Sequence, residues 1–159
     1  MKYFALPEEL QILTNDDIHE IHDEQIRLYG GNAGFNDQKI VGVDATLGRV
    51  QNHIAYMPDT DLLRAAAVLW HGLTTAHAYL DGNKRTALMA MAVFLEINGV
   101  TYDRGGEYAA IFIENLFGEA GEEDHVTLED FERHLRQNTH ALDYAVLAEV
   151  APEDQSLPS

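Results

Sequence analysis

The chain has no cysteine and only three lysines, Lys2, Lys39 and Lys84, among 159 residues. Without cysteine there are no disulfide staples, no thiolate nucleophile and no thiolate metal site, which fits a reducing cytoplasm. Long apolar runs are also missing: none reaches the roughly 18 residues of a membrane span. Residues 1–7 are too short and too soon followed by acid to read as a signal peptide. Positive charge is scarce, with 10 Lys+Arg against 27 Asp+Glu and a formal net charge of −17. Such a surface repels phosphate backbones, so direct nucleic-acid binding is not expected. The acidity reads first as solubility, and an acidic face also suits a basic partner.

What is present is an ordinary globular composition, 46% hydrophobic, of a length that makes one self-sufficient domain. We place that domain at residues 1–150, followed by a short acidic, proline-containing tail at 151–159. No repeat or low-complexity block occurs, and no alternating strand pattern stands out. Helical periodicity dominates, so an all-α fold of about six helices is expected. Thr14 or Asn15 caps a first helix to about Tyr29, with Ile18, Ile21, His22, Gln25, Leu28 and Tyr29 on one face and Gly30-Gly31 at its end. Asn36 or Asp37 caps a second helix through about Gln51, carrying Ile40, Val43, Leu47 and Val50. A third begins near Asp59 to Asp61. A fourth follows residues 77–85 and stops at Gly99. A fifth is expected at about 105–118, then an acidic loop at 118–124. Thr127 caps a sixth, with Leu128, Phe131, Leu135 and Leu142 at heptad-like spacing.

The third and fourth helices are the most apolar. Between Leu62 and Trp70 only Arg64 is polar, and residues 87–95 contain no polar side chain. Helices apolar all round are buried on all sides, so these two are expected at the centre. Yet the segment joining them is His77-Ala78-Tyr79-Leu80-Asp81-Gly82-Asn83-Lys84-Arg85. Placing a histidine, a carboxylate and two cations there is unfavourable unless they are paired or wetted, and such local violations concentrate at functional sites.

The order of residues suggests the chemistry. Gly82 and Asn83 tolerate positive φ, and a turn of that kind aims successive N–H groups at one anion. The helix that follows presents its positive end there, and Lys84 and Arg85 add two charges. Asp81 beside bound phosphates suits Mg²⁺, which takes one or two carboxylates plus phosphate oxygens. His77 can accept a proton near neutral pH. These are parts of a nucleotide-dependent transferase acting on a hydroxyl. Plainer readings remain: a lone histidine at a helix end is more often a cap, and Asp-Gly-Asn alone is a turn. Lys-Arg at a helix start opposes the dipole, so a plain surface explains that pair less well. Tyr79 reads as an apolar anchor for the loop, with a hydroxyl that needs a partner if buried.

Residues 77–85 resemble the Fic/Doc signature, in which histidine and an aromatic precede Asp/Asn-Gly/Ala-Asn-Lys-Arg in the Doc (death-on-curing) branch. Thr86-Ala87-Leu88, residues 94–100, Ile18-His19-Glu20-Ile21-His22-Asp23 and Tyr29-Gly30-Gly31 extend the resemblance over about residues 10–102. It implies a compact helical domain with the signature loop between two central helices. It further implies that His77 deprotonates the target hydroxyl, Asp81 binds Mg²⁺, and Gly82, Asn83, Lys84 and Arg85 hold the phosphates of ATP. AMP-transferring Fic members carry glycine at the position of Lys84 and a second arginine at that of Leu88, so both residues point to the Doc side. Doc-type proteins act as kinases on a threonine of elongation factor Tu, halting translation, and are toxins restrained by a cognate, Phd-like antitoxin. No inhibitory Ser/Thr-x-x-x-Glu motif of the Fic type is found here, which suggests control in trans. AMP transfer to a protein hydroxyl and a non-catalytic partner-binding role are the alternatives.

Overall fold

The computed structural model describes residues 2–103 and 127–142, and the architecture among them is helical, with one small two-stranded ribbon. Helix α1, Asn15–Tyr29, starts at a capping box in which the Thr14 hydroxyl accepts from the Asp17 N–H and the Asp17 carboxylate accepts from the Thr14 N–H. Both orphan donors are satisfied within four residues. Ile18, His22 and Gln25 are buried, whereas Leu28 and Tyr29 of the expected face are exposed. The apolar stripe is therefore used only along the helix's first three turns. Gly30, at φ 82°, ends it.

Helix α2, Val41–Tyr56, begins later and ends later than expected. Asn36 serves a turn ahead of it: its side-chain oxygen accepts from the Gln38 N–H and its carbonyl from the Ile40 N–H. Val43, Thr46, Leu47 and Val50 are its buried side. Helix α3, Leu62–Ala76, lies against it at close range. A Cβ on Gly72 would stand 2.5 Å from the Thr46 methyl carbon, so only glycine permits this approach.

Helix α3 is buried nearly throughout, from Leu62 to Thr74. Each of Leu62, Leu63 and Leu69 contributes about 1.5–3 kcal/mol through burial alone. Helix α4, Asn83–Ile97, buries Thr86, Ala87, Ala90, Met91, Phe94 and Leu95 but leaves Met89 and Ile97 in solvent. The expectation of two fully enclosed helices thus holds for α3 and fails for α4, whose apolar run merely covers a one-sided burial. Helix α5, Leu128–Gln137, is capped by Thr127 through a second capping box and packs Phe131 on Trp70, ring centres 4.4 Å apart.

After Asn138 the chain leaves the helix. Strand β1, Val100–Tyr102, pairs antiparallel with β2, Thr139–Ala141, in the register Val100↔Ala141. Leu142 therefore continues the ribbon, its N–H donating to the Gly99 carbonyl, and is not the last heptad position of α5. The expected helix at 105–118, the loop at 118–124 and the tail from 151 lie outside the described residues.

A buried ion network ties α3, α5 and the N-terminal segment together. Asp61, fully buried, caps α3 through the Arg64 N–H and receives the Arg136 guanidinium on both oxygens at 2.8 Å. Burial alone would raise the Asp61 pKa, but Arg136 and the N–H groups of Arg64 and Phe4 outweigh it and hold the carboxyl below its usual range. Arg136 also bonds Glu132, which pairs with Arg64. Among the described residues no helix is long and apolar enough to cross a membrane.

Candidate active site

Helix α3 stops at Ala76 because His77 takes the left-handed conformation, φ 53° and ψ 39°. It is the only non-glycine among the described residues with positive φ. That conformation costs a side-chain-bearing residue about 1–2 kcal/mol. The chain then runs extended beside the segment after α1. Asn36 N–H donates to the Ala78 carbonyl at 2.8 Å and Leu80 N–H to the Gly34 carbonyl at 3.0 Å, around a single Phe35↔Tyr79 bridge. Gly82, at φ 79°, turns the backbone into α4. Asn83, Lys84 and Arg85 are thus the first turn of α4 rather than part of the connection, which comprises only residues 77–82.

Tyr79 anchors this connection. Its ring is buried, stacks on His22 at 3.7 Å between centres and 8° between planes, and meets His19 edge-on. Its hydroxyl has the partner that burial demands, His19 Nδ1 at 2.6 Å. Burial, helped by the charge of Asp23, pushes this phenol well above its ordinary pKa, so it stays protonated at neutral pH. Asn83 closes the connection. Its side-chain oxygen accepts from the Tyr79 N–H at 3.0 Å and its side-chain N–H₂ donates to the Tyr79 carbonyl at 2.8 Å. The Asn83 amide is therefore engaged within the protein, and its backbone N–H is what it can offer an anion.

A cleft of about 400 Å³ opens here, lined by Thr74, His77, Leu80, Asp81, Gly82, Asn83, Lys84 and Arg85. All six residues singled out from the sequence line it together. No side chain caps the first turn of α4, so its positive end faces a polar opening. The Arg85 guanidinium is steadied by the Gly30 carbonyl at 3.3 Å and by the Tyr29 ring, 5.3 Å from its centre.

Asp81 is exposed, yet held. Its Oδ2 accepts from the Asn32 N–H at 2.7 Å, and its carbonyl oxygen lies 2.8 Å from His22 Nε2. Gly31 makes this possible: it sits at φ 116°, and a Cβ there would come within 3.2 Å of Asp81 Cβ. Among the described residues no three His, Cys, Asp or Glu side chains gather to hold a metal by themselves. A single oriented carboxylate next to an anion pocket instead matches the needs of Mg²⁺, which completes its shell with phosphate oxygens and water.

His22, His19, Gly31 and Asn32 are the site residues that reading the motif missed. His22 did carry a signal, since it shares an apolar helix face with Ile18, where an imidazole needs a polar partner.

Over 107 residues the chain is 34% identical to a protein named "Protein kinase doc" from Escherichia phage P1, covering 67% of this chain and 83% of that one. Residues 12–95 match the model of the Fic/DOC family, a span that holds α1 to α3, α4 as far as Leu95 and every residue lining the cleft. The chain belongs to the Fic/DOC family.

Proposed function

We propose that this protein is a Doc-type toxin that transfers the γ-phosphate of ATP to a hydroxyl of a protein target. The observation that carries this reading is the single cleft shared by His77, Asp81, Lys84, Arg85 and the uncapped first turn of α4. The name of the phage P1 relative, a protein kinase, supports it. So do Lys84 and Leu88, which stand where AMP-transferring relatives carry glycine and arginine.

The step follows from the groups present. His77 takes the proton of the acceptor hydroxyl as its oxygen attacks the γ-phosphorus. The bond from that phosphorus to the β-bridging oxygen breaks, and ADP leaves with the negative charge. Lys84, Arg85 and the N–H groups opening α4 stabilise the charge on the phosphate oxygens. Asp81 would hold Mg²⁺, which when bound neutralises charge at the same oxygens. Elongation factor Tu, through a threonine, is the proposed target, with arrest of translation as the result. We read the protein as cytoplasmic and restrained by a cognate antitoxin whose contacting segment is basic or apolar, given the net charge of −17.

The test is a transfer assay with the full chain, Mg²⁺, elongation factor Tu and ATP labelled at the α- or γ-phosphate. Label is expected from the γ-position only, and absent with His77→Ala. Label from the α-position would refute the kinase reading in favour of AMP transfer.

A further inference from the structure

We infer that His22 is a positioning residue that sets Asp81, and with it the Gly82 N–H, for cation and phosphate binding. The inference rests on the reading of the cleft given above. His22 is 1% exposed and does not itself line the cleft. Its Nε2 lies 2.8 Å from the Asp81 carbonyl oxygen. A carbonyl only accepts, so Nε2 must carry the proton and a neutral His22 is the Nε2–H tautomer. The stack on Tyr79 fixes the ring plane, and Tyr79 is fixed in turn by His19 and Asn83.

Asp81 is consequently held at two points from one direction. His22 of α1 holds its main chain, and Asn32, just beyond α1, holds its carboxylate. An exposed aspartate on a short connection would otherwise sample several rotamers. With both ends fixed, the free carboxylate oxygen keeps one direction. The peptide group adds a second effect. It is planar and trans, so C=O and the next N–H point opposite ways. With the Asp81 oxygen turned to His22, the Gly82 N–H is turned away from α1. One buried imidazole thus sets two of the groups offered to a nucleotide and its cation. Outer partners of this kind change metal affinity or activity by about 10–100-fold when removed.

Two variants separate the bond from the bulk. His22→Phe keeps a ring to stack on Tyr79 but cannot donate. His22→Gln keeps a donor near the Nε2 position but loses the ring. In the full chain with ATP, we expect His22→Phe to raise the Mg²⁺ concentration for half-maximal transfer about tenfold or more, with much of the rate recovered at saturating Mg²⁺. His22→Gln should restore part of the shift. Two readouts need no activity. Long-range ¹H–¹⁵N spectra of the wild type should identify His22 as the Nε2–H tautomer. Exchange of the Asn32 amide, whose acceptor is Asp81, should accelerate in His22→Phe while amides of α2 and α5 stay unchanged. An Nδ1–H tautomer would overturn the inference, as would an unchanged Mg²⁺ midpoint together with unchanged Asn32 exchange. If wild-type protein transfers neither label, the phosphotransfer reading falls, and the tautomer and exchange measurements still decide the role of His22. If His22→Phe does not fold, His22→Gln and the wild-type tautomer decide it.

Discussion

Replacing Asn83 by alanine separates two roles for that residue. As an anion ligand its side chain would meet phosphate. In the structure both ends of its amide are bonded to the backbone of Tyr79, at 3.0 and 2.8 Å. Each such bond contributes about 1 kcal/mol net, and Asn83 is only half-buried, so water replaces part of what is lost. The expected cost is about 1–2 kcal/mol, confined to opening of the connection at residues 77–82. Converted at 1.4 kcal/mol per decade, that is about a five- to thirtyfold rise in the open population. Hydrogen exchange at the Tyr79 amide reports it directly, because Asn83 supplies that amide's acceptor. We expect exchange there to accelerate by this factor and the rate of transfer to fall, with the KM for ATP little changed. Unchanged exchange at Tyr79 combined with a large rise in the KM for ATP would refute the reasoning and return Asn83 to the phosphates.

Arg136→Met should destabilise the fold by about 3–5 kcal/mol in urea unfolding at neutral pH, because it strands the fully buried Asp61 carboxylate; a loss below about 1 kcal/mol would show the pair to be inert. The same pair gives a pH dependence. Asp61 sits below its usual pKa, so its contribution is present above about pH 4 and lost as pH falls through the depressed value; acid titration followed by circular dichroism should show unfolding begin at higher pH in Arg136→Met. Tyr79→Phe keeps the stack on His22 and loses only the bond to His19. It should cost about 1 kcal/mol, a fall of about 2–4 °C in Tm by calorimetry, and retain transfer activity.

The parts legible in the sequence were those whose partners are near in the chain. Thr14, among the two residues proposed at the first helix start, and Thr127 were legible as caps because each finds its N–H donor three residues on; Asp61 was legible only as lying near a helix start, and its cap on the Arg64 N–H came from the structure. The motif from His77 to Arg85 was legible because its residues are contiguous, and His77, Asp81, Asn83, Lys84 and Arg85 line one cleft. Boundaries set by geometry were not. Gly82 alone makes the turn, so α4 opens at Asn83, and the Asn83 side chain folds back to Tyr79 instead of projecting outward. Leu142 has heptad spacing from Leu135, but Thr139 returns its hydroxyl to the Leu135 carbonyl and the chain turns into the ribbon. Three-residue strands such as Val100–Tyr102 carry too few positions for alternation to be seen. The least legible contacts were those across the fold: His22 with Asp81 spans 59 positions, and Asn32 with Asp81 spans 49.

The left-handed backbone at His77 bears on how this protein changes over generations. At that one position, selection for a stable chain and selection for a working one pull in opposite directions. The proposed proton acceptor occupies a conformation that glycine would adopt without strain and asparagine with little. A lineage released from the need for activity loses nothing in folding when histidine gives way there, and gains a little. Escape from toxicity should leave its mark at this codon as well-folded protein rather than as aggregates, and chains recovered from such lineages would resemble the active form in everything but one side chain.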